Sequence, residues 1–224
     1  METLAFILHN LPAIGQRTLE HVSIVGVAVS LAVLTGVPIG IAITQNKRAA
    51  EIVLYIAAMI MTIPSIALFG VMIPLLSLVG QGIGYVPAVI AVLLYSQLPI
   101  IRNTYTAISN VDPALREAAR GMGMGSLQRL RQVELPLAVP VIMAGVRIAV
   151  VINIGITAIA TYIGAGGLGS FISRGISQTD SRQLITGAMA VSFLAIVADY
   201  ALLWVQHRLT AKGLRVSAGM APAG

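Results

Sequence analysis

Charged and small residues suited to contact with a partner protein are concentrated in one polar loop, from Ser109 to Glu134. This loop lies between two long apolar segments. Asp112 followed by Pro113 places an N-cap acid before a proline at the first helical position, and this order predicts a short helix. Its charged side chains are suited to charge-assisted contacts with a partner protein, and its alanines would let a partner surface approach closely. We expect the chain to leave this helix at Gly123 and Gly125 with positive φ angles. The candidate contact residues are Arg116, Glu117, Ala118, Ala119, Arg120 and Gly123.

Two further sets of polar residues lie inside the apolar segments, where ionisable groups are costly and normally face a bundle interior or water. Arg147 and Asp199 are both predicted within the membrane, and we hypothesise that they pair and tie two spans together. Asn153, Thr157 and Thr161 recur at every fourth residue, so they share one helix face. That face either lines a polar translocation path, which we favour, or forms hydrogen bonds with a neighbouring helix.

The sequence lacks the elements of most catalytic and metal sites. It has no cysteine, which excludes disulfides, thiolate catalysis and Cys-ligated zinc. Its three histidines, His9, His21 and His207, are far apart, and we interpret them as interfacial residues rather than metal ligands. Residues 164–169 satisfy G-x-G-x-x-G, but they follow an apolar span instead of a strand, and no G-x-x-x-x-G-K-[ST] loop is present. We therefore expect no catalytic residue, metal or cofactor in this chain.

The composition is that of a membrane protein. Hydrophobic residues make up 57% of the 224 residues and charged residues only 10%, against roughly 25% charged residues in an average soluble domain. The net charge of +6 could suggest nucleic acid, but the basic residues fall mainly in short turns between apolar runs. That pattern sets membrane topology, so no nucleic-acid partner is predicted. The glycines, among them Gly36 and Gly40 in a G-x-x-x-G spacing, are interpreted as helix-packing residues.

Counting apolar runs against the roughly 20 residues that a membrane crossing needs gives five helices and an all-α polytopic fold. The predicted spans are residues 21–44, 52–79, 86–108, 135–163 and 184–205, with the polar loop 109–134 between the third and fourth. The second run contains Pro64 and Pro74, and we expect one long kinked helix there. Residues 1–18 lack the basic start of a signal peptide and are expected to form an amphipathic segment at the outer surface. Residues 19–207 would then form one transmembrane domain, followed by a basic cytoplasmic tail over 208–224.

Lysine and arginine are distributed unevenly between the two sides of this topology. Ten lie on the side of the two basic loops and the C-terminus, against three on the other side. The ten are Lys47, Arg48, Arg102, Arg116, Arg120, Arg129, Arg131, Arg208, Lys212 and Arg215, and the three are Arg17, Arg174 and Arg182. Because cytoplasmic loops carry the excess of basic residues, we expect the N-terminus outside and the C-terminus in the cytoplasm, which five crossings allow.

The spacing in the polar loop resembles a known family signature. Glu117-Ala118-Ala119, Gly123, Val133 and Leu135-Pro136 match the EAA-x3-G-x9-I-x-LP motif of ABC importer permeases, with valine in place of isoleucine. In that family the segment is the coupling helix, which docks on a separate ATPase subunit. The resemblance implies the five-helix, MetI-like core of type I ABC importers. It also implies that the protein lies in the lipid bilayer and has three kinds of protein partner. These are a second permease copy or paralogue, ABC ATPase subunits and an extracytoplasmic substrate-binding protein.

Two other stretches resemble the osmoprotectant subgroup of these permeases. Residues 161–175 are similar to its I-G-A-G-G-L-G signature, and residues 62–68 and 98–105 are similar to its second and third spans. This resemblance implies an inner-membrane permease for glycine betaine, choline, carnitine or similar osmoprotectants. Methionine importer permeases carry a sequence related to the first stretch, so an importer of methionine or another amino acid stays open. A third possibility is an ion-coupled secondary transporter, for which Asp199 is the one predicted intramembrane carboxylate.

Overall fold

The structure, a computed structural model, describes residues 2–210, and in this part of the chain every regular element is helical. Ten α-helices follow one another along it: α1 (Glu2–His9), α2 (Leu11–Ala42), α3 (Lys47–Thr62), α4 (Ser65–Ser77), α5 (Tyr85–Ser109), α6 (Pro113–Gly121), α7 (Ser126–Arg129), α8 (Leu135–Ile159), α9 (Gly169–Ser177) and α10 (Ser181–Leu209). Short 3₁₀ turns follow α2 (Ile43–Gln45) and α8 (Ala160–Ile163), and a π-helical turn (Leu130–Glu134) joins α7 to α8. The predicted all-α fold is confirmed. Most of the predicted tail, with Lys212 and Arg215, lies outside the described residues.

Four helical segments within residues 2–210 are long and apolar enough to cross a membrane, namely Leu11–Gln45, Tyr85–Ser109, Ser126–Ile163 and Ser181–Leu209. Helices α3 and α4 together give a fifth crossing if they count as one broken span. We predicted one kinked helix over 52–79, whereas α3 and α4 are separate helices that meet at 98°. Ile63 and Pro64 are extended at the bend, with ψ angles of 126° and 135°. Proline lacks an N–H and disfavours the α region for the residue before it, so the helix breaks there.

The first crossing helix begins earlier than the sequence predicted. Helix α2 is continuous from Leu11, although we expected the span to start at residue 21 after a separate segment over 1–18. Pro12 falls in the first turn of α2, where the missing N–H costs no intrahelical hydrogen bond. Only α1 remains separate, and the Asn10 side-chain amide closes its end by donating to the Phe6 carbonyl at 2.8 Å.

Helix α5 is the centre of the bundle and contacts α2, α3, α4 and α8. Val92 and Ile100 of α5 are fully buried in two apolar clusters that include residues of α2 and α8. Small residues let α2 approach: a Cβ on Gly36 would lie 3.0 Å from Ile100, and a Cβ on Gly40 would lie 2.6 Å from Thr104. The helix-packing interpretation of these two glycines is confirmed.

The two basic turns of the sequence lie at the same end of the bundle. Lys47, which begins α3, lines one polar cavity with Arg116 and Arg129 of the polar loop. At the opposite end, where α5 begins and the turn after α8 ends, the Gly84 N–H donates to the Ile163 carbonyl at 2.7 Å. Residues 164–169, hereafter the glycine loop, follow directly. The polar loop and the glycine loop therefore mark opposite ends of the molecule.

Candidate functional site

The polar loop folds around α6, the short helix that the sequence predicted. Asp112 Oδ1 accepts a hydrogen bond from the Ala114 N–H at 2.8 Å, and Pro113 occupies the first turn. This N-cap satisfies a backbone donor that has no partner inside the helix, and the predicted helix start is confirmed. Leu115 of α6 and Met122, the residue directly after the helix, are 45% and 70% exposed. Helix α6 therefore presents an open and partly apolar face.

The six predicted contact residues do not all share that face. Four of them are exposed: Glu117, Ala118, Arg120 and Gly123. Arg116 is half-buried, and Ala119 is only 1% exposed. Residues three apart lie on the same side of a helix, so these two turn together toward the membrane helices. The prediction that Ala119 meets a partner surface is wrong, whereas Ala118 remains open.

Helix α6 ends at Gly121, and Gly123, two residues further along the chain, has a φ of 80°, as predicted. The Met124 N–H returns to the Ala119 carbonyl at 3.1 Å, which closes the helix end. Glycine adopts this left-handed conformation without the steric cost of a Cβ. The same prediction is wrong for Gly125, which has a φ of −68° and precedes α7 in an extended conformation.

Glu134, which was not among the predicted site residues, holds the polar loop together. Its side chain is 8% exposed, and Arg129 Nε donates to Glu134 Oε1 at 2.8 Å. Arg116 Nε lies 3.4 Å from the same oxygen, as an ion-pair contact outside hydrogen-bond geometry. Arg116 also donates through Nη2 to the Ile108 carbonyl at the end of α5. One buried carboxylate thus joins α6, α7 and the start of α8, and its burial is offset by two cations.

The turn that carries Glu134 is π-helical and runs without a break into α8. Such turns occur frequently at functional sites. Glu134 therefore connects α6 to the continuous helical segment Ser126–Ile163. An acid placed directly before the apolar run at Leu135, in an arginine-rich stretch, is the sequence signal that could have identified it.

Arg147 of α8 and Asp199 of α10 form the ion pair that we hypothesised. Arg147 Nε and Nη2 donate to the two carboxylate oxygens of Asp199, each at 2.9 Å. Arg147 Nη1 donates to Gln206 Oε1 at 3.2 Å, and Gln206 Nε2 donates to the Pro140 carbonyl at 3.0 Å. Bidentate contact of this kind is the strong form of an arginine–carboxylate pair. It fastens α8 to α10 near the middle of both helices.

The predicted path residues of α8 are mostly turned inward. Asn153 is fully buried and donates to Ser96 Oγ of α5 and to the Ala149 carbonyl, both at 2.8 Å. Thr157 is fully buried as well, and Thr161 is half-buried in the turn after α8. The favoured prediction of an open path is therefore wrong for Asn153 and Thr157 in this structure. The alternative, a hydrogen bond to a neighbouring helix, describes Asn153.

The glycine loop is shaped by backbone conformation. Gly166 and Gly167 have φ angles of 77° and 78°, which side-chain-bearing residues rarely adopt. The Gly167 N–H donates to Glu20 Oε2 at 2.9 Å, and Arg17 Nη1 donates to the same oxygen at 2.8 Å. The interpretation of the glycines as helix-packing residues is thus wrong for these two, which form a turn held by α2.

His21 is fully buried beside this loop, near the end of the bundle. Its Nε2 lies 2.9 Å from the Ile154 carbonyl of α8 and donates to it, because a carbonyl only accepts. A Cβ on Gly167 would lie 3.1 Å from His21 Nδ1, so the loop passes directly over the ring. His21 therefore packs α2 against both α8 and the glycine loop. Within residues 2–210, no group of three or more histidine or acidic side chains is placed to hold a metal ion.

Helix α10 starts at the same end with a charged cap. Asp180 Oδ1 accepts a hydrogen bond from the Arg182 N–H at 3.0 Å. Hydrogen bonds from the Arg182 and Gln183 side chains, together with this backbone bond, lower the pKa of Asp180 to about 2. The cap is therefore ionised at neutral pH.

The chain is similar over most of its length to known membrane proteins. Residues 36–211 match the family described as "Binding-protein-dependent transport system inner membrane component". Over 215 residues, 96% of this chain and 100% of the relative, it is 54% identical to the osmoprotectant import permease protein OsmW of Salmonella typhimurium. It is 44% identical to the choline transport system permease protein OpuBB of Bacillus subtilis, over 89% of each chain. It is 40% identical to the glycine betaine/carnitine/choline transport system permease protein OpuCB of the same organism, over 96% of each chain.

Solved structures share the fold. A chain of the MetNI methionine ABC transporter superposes with a TM-score of 0.77 at 25% identity, over 86% of this chain and 94% of that one. A chain of an amino acid ABC transporter superposes with a TM-score of 0.74 at 20% identity, over 93% of this chain and 99% of that one.

Proposed function

Because the chain belongs to the family of binding-protein-dependent transport system inner membrane components, we propose that it imports glycine betaine, choline, carnitine or a similar osmoprotectant. It is the membrane permease of an ABC transporter, and ATP hydrolysis takes place on a separate ATPase. The substrate class is supported by relatives at 54%, 44% and 40% identity that are named for osmoprotectant, choline and glycine betaine/carnitine/choline transport.

The observation that carries the proposal is the construction of α6. Its outer face is open, with Glu117, Ala118 and Arg120 exposed, while its inner face is tied through Arg116 to Glu134. In the proposed mechanism an ATPase subunit docks on this outer face. ATP-driven closure of the ATPases then moves α6, and Glu134 transmits the movement to α8. The permease alternates between outward and inward access and makes no covalent bond itself.

We assign the polar-loop end to the cytoplasm and the glycine-loop end to the outside. This assignment is supported by the clustering of Lys47, Arg116 and Arg129 at one end, because basic residues are enriched on the cytoplasmic side. A second copy of this chain, or a paralogue, completes the pathway across the lipid bilayer. An external binding protein delivers substrate at the glycine-loop end.

An importer of methionine is the second candidate, because one solved structure of the same fold is a methionine transporter. Its 25% identity is much lower than the 54% shared with the osmoprotectant permease, and we therefore rank it second. The ion-coupled alternative is dropped, since this family belongs to binding-protein-dependent systems.

Reconstituted transport tests the proposal. The permease, its ATPase and its binding protein are placed in proteoliposomes, and uptake of radiolabelled glycine betaine, choline, carnitine and methionine is measured with and without internal ATP. We expect ATP-dependent uptake of the quaternary amines and none of methionine. Uptake of methionine alone, or uptake driven by an ion gradient without ATP, would overturn the proposal.

A matched pair of variants tests the docking face. Ala118→Trp puts a bulky ring on the exposed face of α6, and Ala13→Trp makes the same change at an exposed alanine of α2 near the opposite end. Overpacking a close contact costs about 1–3 kcal/mol, so we expect Ala118→Trp to weaken ATPase binding roughly tenfold or more. Ala13→Trp should bind the ATPase as the unmodified permease does. Equal binding by both variants would argue against α6 as the docking helix.

A further inference from the structure

The Arg147–Asp199 pair lies at a depth where an exposed charge is costly. Arg147 is the middle residue of α8, and Asp199 lies about one turn beyond the middle of α10. The pair is nevertheless open to its surroundings, with 24% of the Arg147 side chain and 36% of the Asp199 side chain exposed. A charged group that faces lipid within a membrane costs several kcal/mol, so such groups normally face protein or a water-filled cavity. This side of α8 and α10 is therefore wetted or covered by protein when the permease is assembled.

The pair opens into a groove of its own. The groove has a volume of about 740 Å³, within the range of small-molecule sites. Apart from Arg147, Asp199 and Tyr200, its lining is aliphatic. The face of these helices turned toward α2 lines a different cleft, with Val150 and Ala198 among its residues. The charged groove is thus on the side of the α8–α10 pair that α2 leaves open.

The groups in the groove retain bonding capacity. The arginine guanidinium has five N–H donors, and within residues 2–210 three of them are used, by Asp199 and Gln206. The Asp199 carboxylate has further lone pairs beyond the two that accept from Arg147. Tyr200, the next residue of α10, is 67% exposed and lines the same groove. An otherwise apolar groove therefore contains the guanidinium N–H donors of Arg147, the carboxylate of Asp199 and the aromatic ring of Tyr200.

We infer that this groove is a transient contact site for the transported zwitterion. The inference rests on the proposed function, which supplies a substrate with a quaternary ammonium group and, in glycine betaine and carnitine, a carboxylate. The substrate carboxylate accepts from the free N–H groups of Arg147. The ammonium group lies against the Tyr200 ring and near Asp199, because quaternary ammonium groups bind aromatic faces. Since Arg147 and Asp199 neutralise each other, the groove binds a neutral zwitterion weakly enough to release it.

A purely structural brace between α8 and α10 makes different predictions. A brace requires Arg147 and Asp199 but does not require Tyr200. Within residues 2–210, no hydrogen bond or ion pair connects Tyr200 to the Arg147–Asp199 pair. A brace also supports all substrates alike, whereas a carboxylate contact serves glycine betaine and not choline. Substitution of Tyr200 and the ratio of glycine betaine to choline uptake therefore distinguish a substrate contact from a structural brace.

The test is ATP-driven uptake of glycine betaine and choline by the complete transporter in proteoliposomes, expressed per ATP hydrolysed. Tyr200→Leu should lower uptake of both substrates roughly tenfold, while Tyr200→Phe, which keeps an aromatic face, stays within about twofold of the unmodified protein. Phe193→Leu is the matched control, because Phe193 is an equally exposed aromatic of α10, 69% exposed, that lines a different groove. Arg147→Lys keeps the charge but loses the bidentate fork, and should lower the ratio of glycine betaine to choline uptake about fivefold.

The outcomes distinguish the site from the proposed function. If the unmodified transporter moves neither amine, the proposed function and the site both fall. If it moves them, and Tyr200→Leu behaves as Phe193→Leu does, the site alone is overturned. An unchanged substrate ratio in Arg147→Lys overturns it equally, because a brace without substrate contact predicts that result.

Discussion

The two ends of the bundle are held by different kinds of interaction. At the polar-loop end, one buried carboxylate, Glu134, gathers two arginines from separate segments and leaves the outer face of α6 open. At the glycine-loop end, the backbone is in close contact with its neighbours: a Cβ on Gly169 would lie 1.9 Å from the Ala158 carbonyl oxygen. Side-chain ion pairs can shift and re-form as a helix moves, whereas close-packed backbone cannot.

This contrast suits the proposed division of labour. In the proposed mechanism the polar-loop end receives a moving ATPase and passes the movement on, so an adjustable contact between charged groups is appropriate there. In the proposed function the glycine-loop end meets a binding protein. There the Gly167 N–H donates to Glu20, and His21 lies beneath the turn. The difference implies that substitutions at the glycine-loop end mainly cost stability, while those at the polar-loop end also cost communication with the ATPase.

The largest effect is expected from Gly169→Ala. The added Cβ has no room against the Ala158 backbone, so the start of α9 must shift, at a cost of about 3 kcal/mol or more. Gly155→Ala is the control, because a Cβ on that α8 glycine meets nothing within 4 Å. We expect the control to leave stability unchanged or to raise it by up to about 1 kcal/mol. The measurement is the free energy of unfolding in mixed micelles titrated with dodecyl sulfate. Equal stability of the two variants would remove the close-packed half of the contrast.

Glu134→Gln should have an intermediate effect on stability and a clear effect on coupling. It leaves Arg116 and Arg129 without their shared anion, and we expect a loss of about 2 kcal/mol, moderated by the partial exposure of both arginines. ATPase activity should no longer respond to the loaded binding protein. Glu117→Gln, on the exposed face of the same α6, should keep the free energy of unfolding within about 0.5 kcal/mol and lower only ATPase binding. A Glu134 variant that remains fully stimulated would show that movement reaches α8 by another route.

Much of the architecture was predictable because hydrophobic length and helix punctuation are local properties. The third, fourth and fifth spans correspond to α5, α8 and α10, and the N-cap at Asp112 gives the start of α6. The 98° break between α3 and α4 was not predictable, since a proline at this position permits either a kink or a break. Which one forms depends on the packing of α3 and α4 against α5, and that packing is not a local property of the sequence.

The site was predicted less completely, for physical reasons that differ from residue to residue. Arg147 and Asp199 were identified because membrane burial restricts what a charge can do, whereas Glu134 lies in a polar loop where acids are common. Ala119 was assigned to the wrong face because a small alanine suits both a close contact with a partner protein and close packing inside the chain, and its residue type does not distinguish the two. The burial of His21 was not predictable, because it depends on the glycine loop, which folds over it from a distant part of the chain.

The smallest effect is expected from Glu20→Ala, which removes the one side chain that links α2 to the Gly167 N–H. Because Glu20 is about one-third exposed and water can replace it as an acceptor, we expect a loss of only about 1 kcal/mol. Glu51→Ala, at an exposed acid of α3, is the control and should change stability by less than about 0.5 kcal/mol. Hydrogen exchange adds a local readout, since the Gly167 amide should lose protection while amides of α6 do not. The contrast between the two ends requires this order of effects, because a turn fixed by left-handed glycines persists without its side-chain contact. If Glu20→Ala destabilised the permease more than Glu134→Gln, the glycine-loop end would also depend on charge, and the contrast would not hold.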